Sequence, residues 1–502
     1  MSDAFSDLKT RLGRIEDLKS AAEVLAWDQE TYMPPGGAEA RARQLSTLQT
    51  LAHEQFTDDA IGALVERAAE QLDGRDRLDT EASIVRVARR DYERARRVPS
   101  SLVARMSEAV SRAKEAWKEA RKADDFEMFA PHLDRIVTLN VEKAEAIGYE
   151  AERYDALLDE YEPGMTTETV ASTFDALRED LVPIVDAIAE AEPIDDGVLR
   201  RQYPQAAQKQ FGETIMAEIG YDFERGRQDI SAHPFTTSFA IDDVRLTTRY
   251  DENYLPAALF SMLHEAGHGM YEQGIDDALA RTPAADGASL GIHESQSRFV
   301  ENMLGRSRAF WQHYFPRAQG AFPDALAGTD VTTFYRAINR VEPSLIRVEA
   351  DEVTYNLHVM LRFELERGLI RGDIAVDDLP GLWNEKMDEY LGVVPDTDAN
   401  GVLQDVHWSL GAIGYFPTYA LGNLMSAQIW TAMQDDLPDV RTHIAHGQFD
   451  VLLDWLRTNI HRHGRKLEAP DLLERVTGQS LSAAPWLDYV RTKFGPLYDR
   501  SL

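Results

Sequence analysis

Apolar residues recur at three- and four-residue steps through most of this chain. The first such run covers residues 5–26, where Phe5, Leu8, Leu12, Ile15 and Leu18 share one face of a predicted helix. The segment MPPGG at 33–37 breaks it, and a new helical pattern starts at Ala38. Residues 79–123 continue in the same texture, interrupted at Pro99-Ser100-Ser101, a helix-start signal. Further helical runs occupy 126–147, 166–191 and 204–219. The pattern changes once. Between 233 and 250, TTSFAI and VRLTTRY flank Asp242-Asp243 and are rich in Thr, Val and Ile, which predicts a β-hairpin. Helical spacing resumes at 254. The expectation is a mainly α fold with one small β-sheet. No low-complexity linker divides the chain, so it reads as a single 1–502 domain, with 1–200 a helical N-terminal portion and 201–502 carrying the chemistry.

Composition narrows the function. No run of eighteen apolar residues exists, so no membrane-spanning helix is expected. The charged, amphipathic N-terminus lacks the features of a secretion signal, which predicts a cytoplasmic protein. There are no cysteines, which excludes disulfides, thiol catalysis and Cys-ligated zinc. Net charge is −33, with 86 acidic and 53 basic residues, and 43 of the basic residues are Arg. Such a surface repels nucleic acid and anionic membranes. It also suits high salt, where screening relieves self-repulsion, so a halophilic protein is expected.

One motif carries chemistry. His264-Glu265-Ala266-Gly267-His268 lies in a helical stretch, with Pro256 suited to its first turn and Asp251 or Asn253 placed to cap it. Two histidines four apart lie on one helical face and can share a metal, with the intervening Glu265 beside it. A catalytic zinc needs a third protein ligand. Spacing leaves His293, Glu294 and Glu272 as candidates. Co2+ or Mn2+ would suit the same donors as Zn2+. The absence of Cys weighs against a purely structural zinc.

These residues resemble the Taq-type (thermostable carboxypeptidase 1) metallocarboxypeptidases, gluzincin-like HEXXH zinc peptidases. WDQETYMPPGG at 27–37, HPF at 233–235, DVRLT at 243–247, HEAGH at 264–268, HESQ at 293–296, IRVEAD at 346–351 and GVLQDVHW at 401–408 occur in that family's order. The resemblance implies Glu294 as third ligand. It also implies a long groove in a helical fold similar to angiotensin-converting enzyme and thimet-type oligopeptidases, and a homodimer. The activity implied is release of single C-terminal residues from peptides, with broad specificity, by metal-activated water with Glu265 as general base. His407 with Tyr415, and Tyr419 as an alternative, are implied donors to the scissile carbonyl. Related zinc peptidases often carry an acidic residue four positions after the Glu ligand; here that position is Arg298, so Asp243 and Asp351 are the candidates to orient a ligating His. A free C-terminal carboxylate calls for a planar guanidinium, for which Arg347 is the first candidate and Arg245 the second. His233 and His293 are candidates to position substrate or Glu265. His461 and His463 receive no role. An endo-oligopeptidase or peptidyl dipeptidase would share the metal residues.

Overall fold

A computed structural model describes residues 3–502, and within them the chain forms twenty α-helices and one three-stranded sheet. The expected mainly helical architecture with a small sheet is what the structure shows. The helical runs fall where the apolar spacing puts them: Ala4–Thr31, Ala38–Phe56, Thr80–Arg97, Ser100–Ala123, Ala130–Ile147, Thr167–Ala189 and Gln205–Ile219. No helix among the described residues is long and apolar enough to cross a membrane.

The expected hairpin is present as β2 (Thr236–Ala240) antiparallel to β3 (Asp243–Thr248). A third strand, β1 (Gly226–Ile230), pairs parallel with β3, giving the order β1-β3-β2. Its sequence, GRQDI, lacks the apolar alternation that marks a strand, so pairing with β3 rather than its own pattern creates it. The N-terminal Trp27 packs against Phe239 of β2, and the Tyr32 hydroxyl bonds the Asp229 carboxylate on β1. The end of the first helix therefore lies on the sheet.

Buried apolar side chains form two clusters. A smaller one joins the first four helices to Ile241, Ile275, Leu279 and Ala284. The larger one runs from Ala113 to Tyr498 and encloses the helices that carry HEAGH and HESQ. Two glycines permit the close packing around those motifs. A Cβ at Gly267 would sit 2.5 Å from the Gln296 carbonyl oxygen, and one at Gly422 would sit 2.5 Å from Glu294 Cγ.

Candidate metal centre

The helix Leu255–Gln273 presents His264 and His268 one turn apart, their rings 4.9 Å apart between centroids. Pro256 is in its first turn as expected, but neither Asp251 nor Asn253 caps it. Its N-cap is Tyr254, which makes no side-chain cap, and Asp251 instead accepts from the Asn253 amide in the preceding turn. HESQ opens a second helix, Leu290–Arg298, whose Ser289 cap accepts from the Ile292 amide at 2.9 Å.

The two helices bring Glu294 to the paired imidazoles. Glu294 Oε2 lies 3.6 Å from His264 Nε2 and 3.5 Å from His268 Nε2. Donor atoms of the three residues all fall within 4.8 Å of one another, a set able to hold a metal ion. Two ligands each about 2.0–2.1 Å from a tetrahedral ion stand about 3.3–3.4 Å apart, so the two His–Glu separations fit that demand. Of the other two candidates for third ligand, Glu272 and His293 are engaged with each other.

Both histidines are held from behind. Glu301 Oε2 accepts from His264 Nδ1 at 3.0 Å, which turns the Nε2 lone pair towards Glu294. This corrects the assignment of that task to Asp243 or Asp351. Asp243 forks onto Arg245 at 2.8 and 2.9 Å, and Asp351 accepts the amides of Val353 and Thr354 near the start of the helix Tyr355–Arg371. A π-helical turn, Phe299–Leu304, follows the Glu294 helix and carries Glu301. His268 Nδ1 meets His293 Nδ1 at 2.6 Å, and His293 Nε2 donates to Glu272 Oε1 at 2.6 Å. His293 thus stands behind His268 rather than beside Glu265. His461, given no role by the sequence, is buried and bonds Gln296 at 2.9 Å, anchoring HESQ.

Electrostatics follow from this packing. Burial opposes ionisation of Glu294, but the Arg298 guanidinium and His264 hold it well below the usual carboxylate range. Burial likewise opposes Glu301, yet Arg298 and the His264 hydrogen bond hold it down to about 2. Burial lowers His268 to about 3, keeping it neutral as a ligand must be. Glu265 is buried and its carboxyl is pushed up by desolvation; its Oε2 accepts from the Thr236 hydroxyl of β2 at 2.6 Å.

The second group of expected residues gathers on the segment after Gln404. His407 Nε2 lies 3.2 Å from the Tyr419 hydroxyl, and its ring centroid is 5.3 Å from that of Tyr415. Burial and the nearby Arg347 lower His407 to about 4. Burial raises the Tyr415 phenol and the Glu294 charge raises it further. Arg347 is 3% exposed. Its Nε and Nη2 donate to Asp405 Oδ1 at 3.2 and 2.7 Å, and Nη1 donates to the Tyr355 hydroxyl at 2.8 Å. A guanidinium has five N–H donors, so one hydrogen on each terminal nitrogen is left for a further acceptor. Neither Glu349 nor Asp351 pairs with it. Glu366, absent from every motif, fixes this segment: its carboxylate accepts from Trp408 Nε1 and the Gly414 amide, each at 2.9 Å, and from Tyr154 at 2.7 Å.

Two expected residues lie apart from this convergence. Arg245 has its fork filled by Asp243, with its guanidinium 4.4 Å from the Trp27 ring, so it braces the N-terminal segment on the sheet. The His233 side chain is exposed and forms no hydrogen bond among the described residues, while its carbonyl accepts from Ser231 at 2.5 Å.

Two half-buried imidazoles and a buried carboxylate beside a second glutamate, set in a helical fold, have the make-up of a metal-dependent hydrolase. The sequence profile described as "Carboxypeptidase Taq (M32) metallopeptidase" matches residues 7–494. The chain belongs to that family, and is a metallocarboxypeptidase acting on peptides. It is 44% identical to "Thermostable carboxypeptidase 1" of Thermus thermophilus over 492 residues, 96% of each chain. It is 39% identical to "Carboxypeptidase 1" of Bacillus subtilis over 97% of each. The solved M32 carboxypeptidase of Deinococcus radiodurans superposes with a TM-score of 0.96 at 43% identity, covering 99% of both chains.

Proposed function

We infer that the protein is a zinc-dependent carboxypeptidase that releases single residues from peptide C-termini with broad side-chain tolerance. His264, His268 and Glu294 hold the ion and Glu265 is the general base. The observation that carries this reading is the approach of both imidazole Nε2 atoms to one oxygen of Glu294. Zinc, when bound, supplies a Lewis acid that polarises the scissile carbonyl and acidifies water. Glu265 takes the proton from the attacking water and returns it to the leaving amine. The Thr236 hydroxyl fixes the angle of that carboxylate. His407 and Tyr415 or Tyr419 donate hydrogen bonds to the carbonyl oxygen as charge develops on it. Arg347 receives the C-terminal carboxylate on its two remaining N–H groups, while His293 orients His268 from behind and Arg245 braces the N-terminal segment on the sheet. The two-His, one-carboxylate donor set suits Zn2+ and would also take Co2+ or Mn2+.

The reading extends to a cytoplasmic, salt-adapted homodimer of a single 1–502 domain, with a groove of the kind found in angiotensin-converting enzyme and thimet-type oligopeptidases. One peptide offered with a free C-terminus and with an amidated one tests the activity. Stepwise release of single residues from the free form alone is expected. Equal cleavage of the amidated form would assign an endo-oligopeptidase to the same metal residues, and release of dipeptides a peptidyl dipeptidase.

A further inference from the structure

A cavity of about 820 Å³ lies apart from the metal centre, between the helices Arg308–Ala321, Val331–Ile338, Pro417–Asp436, Val440–Ala445 and Ala484–Tyr498. Three arginines line it: Arg308, Arg336 and Arg441. In a chain of net charge −33, most arginines pair with a carboxylate within 4.0 Å, and these three do not among the described residues. Arg441 reaches only the neutral Gln434 Oε1, at 3.3 and 3.2 Å. Asp488 shares the wall and pairs with none of the three. Lys493 is neutralised separately by Glu352, at 2.6 Å in a buried pair.

Arg308 and Arg441 are exposed at the mouth of the cavity and Arg336 is half-buried. Burial pushes the Tyr335 phenol up to about 12, aided by Glu352, while the fields of Arg308 and Arg441 act in the opposite sense. Both guanidiniums therefore act on the space around one hydroxyl, which itself lines the cavity and makes no hydrogen bond among the described residues. Trp430 adds apolar surface to the lining. Unpaired guanidiniums at the mouth of a cavity present planar forks to anionic oxygens. The volume suits a small organic ligand.

We propose that this cavity is a second binding site, specific for a small organic anion carrying at least two anionic oxygens, a polycarboxylate or a phosphate compound, held by Arg308, Arg336 and Arg441. The site stands whatever the reaction at the metal centre. Calorimetric titration of the metal-loaded full chain with citrate and, separately, with inorganic pyrophosphate at fixed ionic strength tests it. Saturable binding at one site per chain is expected for at least one probe. Arg308→Ala and Arg441→Ala should each weaken it at least about tenfold, the loss of one charge-assisted fork. Because none of these side chains holds an ion pair, circular dichroism melts of the variants should match the parent. Preference for citrate assigns the polycarboxylate class, and preference for pyrophosphate the phosphate class. Absence of saturable binding by both probes, or affinity unchanged in both variants, overturns the proposal. So does dimer dissociation in the Arg variants without loss of probe binding, because the arginines would then serve a partner copy.

Discussion

Replacing Glu301 with Gln tests whether the metal centre is organised from behind as the geometry indicates. The carboxylate accepts from His264 Nδ1 at 3.0 Å, from Arg298 at 3.2 Å and from Arg306 at 3.3 Å. Gln keeps the shape and removes the charge. His264 then loses a charge-assisted bond that fixes its tautomer and raises the basicity of Nε2. Arg298 is left with Glu294 alone, drawing on the electrons of the ligand itself. Loss of such a partner typically weakens metal binding by about 10–100-fold, or ~1.4–2.7 kcal/mol. Competition with a chromophoric chelator measures that shift directly. Circular dichroism checks that the variant is folded, as expected because Arg306 keeps its bond to the Ile338 carbonyl. Asp243→Asn and Asp351→Asn are the controls, and neither should move the affinity. A dissociation constant for the Glu301 variant within about threefold of the parent would refute the reasoning, as would an equal loss in the Asp243 variant.

Thr236→Val removes the 2.6 Å bond to Glu265 without touching the metal ligands; kcat should fall about 10–100-fold, in line with a hydrogen bond to a charged group, while metal content stays constant. Arg347→Ala should raise KM for peptides at least about tenfold through loss of the carboxylate fork; metal loss in proportion to activity loss would assign the residue a structural role instead. Glu162 is buried against the Gly291 amide, and desolvation pushes its folded-state value up to about 8 from 4.5. A raised carboxylate favours the folded state fully below about 4.5, and that contribution is lost as pH rises towards 8, at up to roughly 1.4 kcal/mol per unit. Glu162→Gln should therefore match the parent in urea melts at pH 4 and exceed it at pH 8.5; parallel profiles would count against the assignment. The net charge of −33 predicts a melting temperature that climbs with KCl as repulsion is screened, and a maximum at low salt would exclude salt adaptation.

The helices were legible because burial on one face imposes a period. The hairpin was legible because Thr, Val and Ile cluster on either side of Asp242-Asp243. β1 was not, because its residues become a strand only by pairing with β3. At the site, HEAGH declares itself through local spacing, since both histidines lie on one helix. Glu294 could be singled out only through the family resemblance, as His293 and Glu272 fit the same spacing. Glu301 was missed because the expected position for an acid, four residues on, is filled by Arg298. The acid comes seven residues after Glu294, inside a π-helical turn that sequence spacing does not reveal. Glu366 and His461 were missed for another reason. Their partners lie 42 to 212 and 165 residues away in sequence, distances at which local pattern carries no information.

Arg298 is the residue that makes these departures consistent. In the sequence it looks like a flaw, a cation where an acid is expected next to a metal. In the structure its Nε takes Glu294 Oε1 at 2.7 Å, while Oε2 faces the two imidazoles and accepts from Ser297 at 3.0 Å. With the guanidinium drawing Oε1 to its own side, Oε2 is the oxygen turned towards the two imidazoles. An ion held there by His264, His268 and that one oxygen would keep a position open for water. The same guanidinium also reaches Glu301 Oε2 at 3.2 Å, so one cation orients both the carboxylate ligand and the acid behind His264. Packing against Tyr355, 4.4 Å from its ring centroid, keeps the cation on that side of the site. Tyr355 in turn accepts from Arg347, so Arg298 and Arg347 share one aromatic neighbour. Burial makes each of these charges costly alone, and the chain meets that cost by placing every one of them against another.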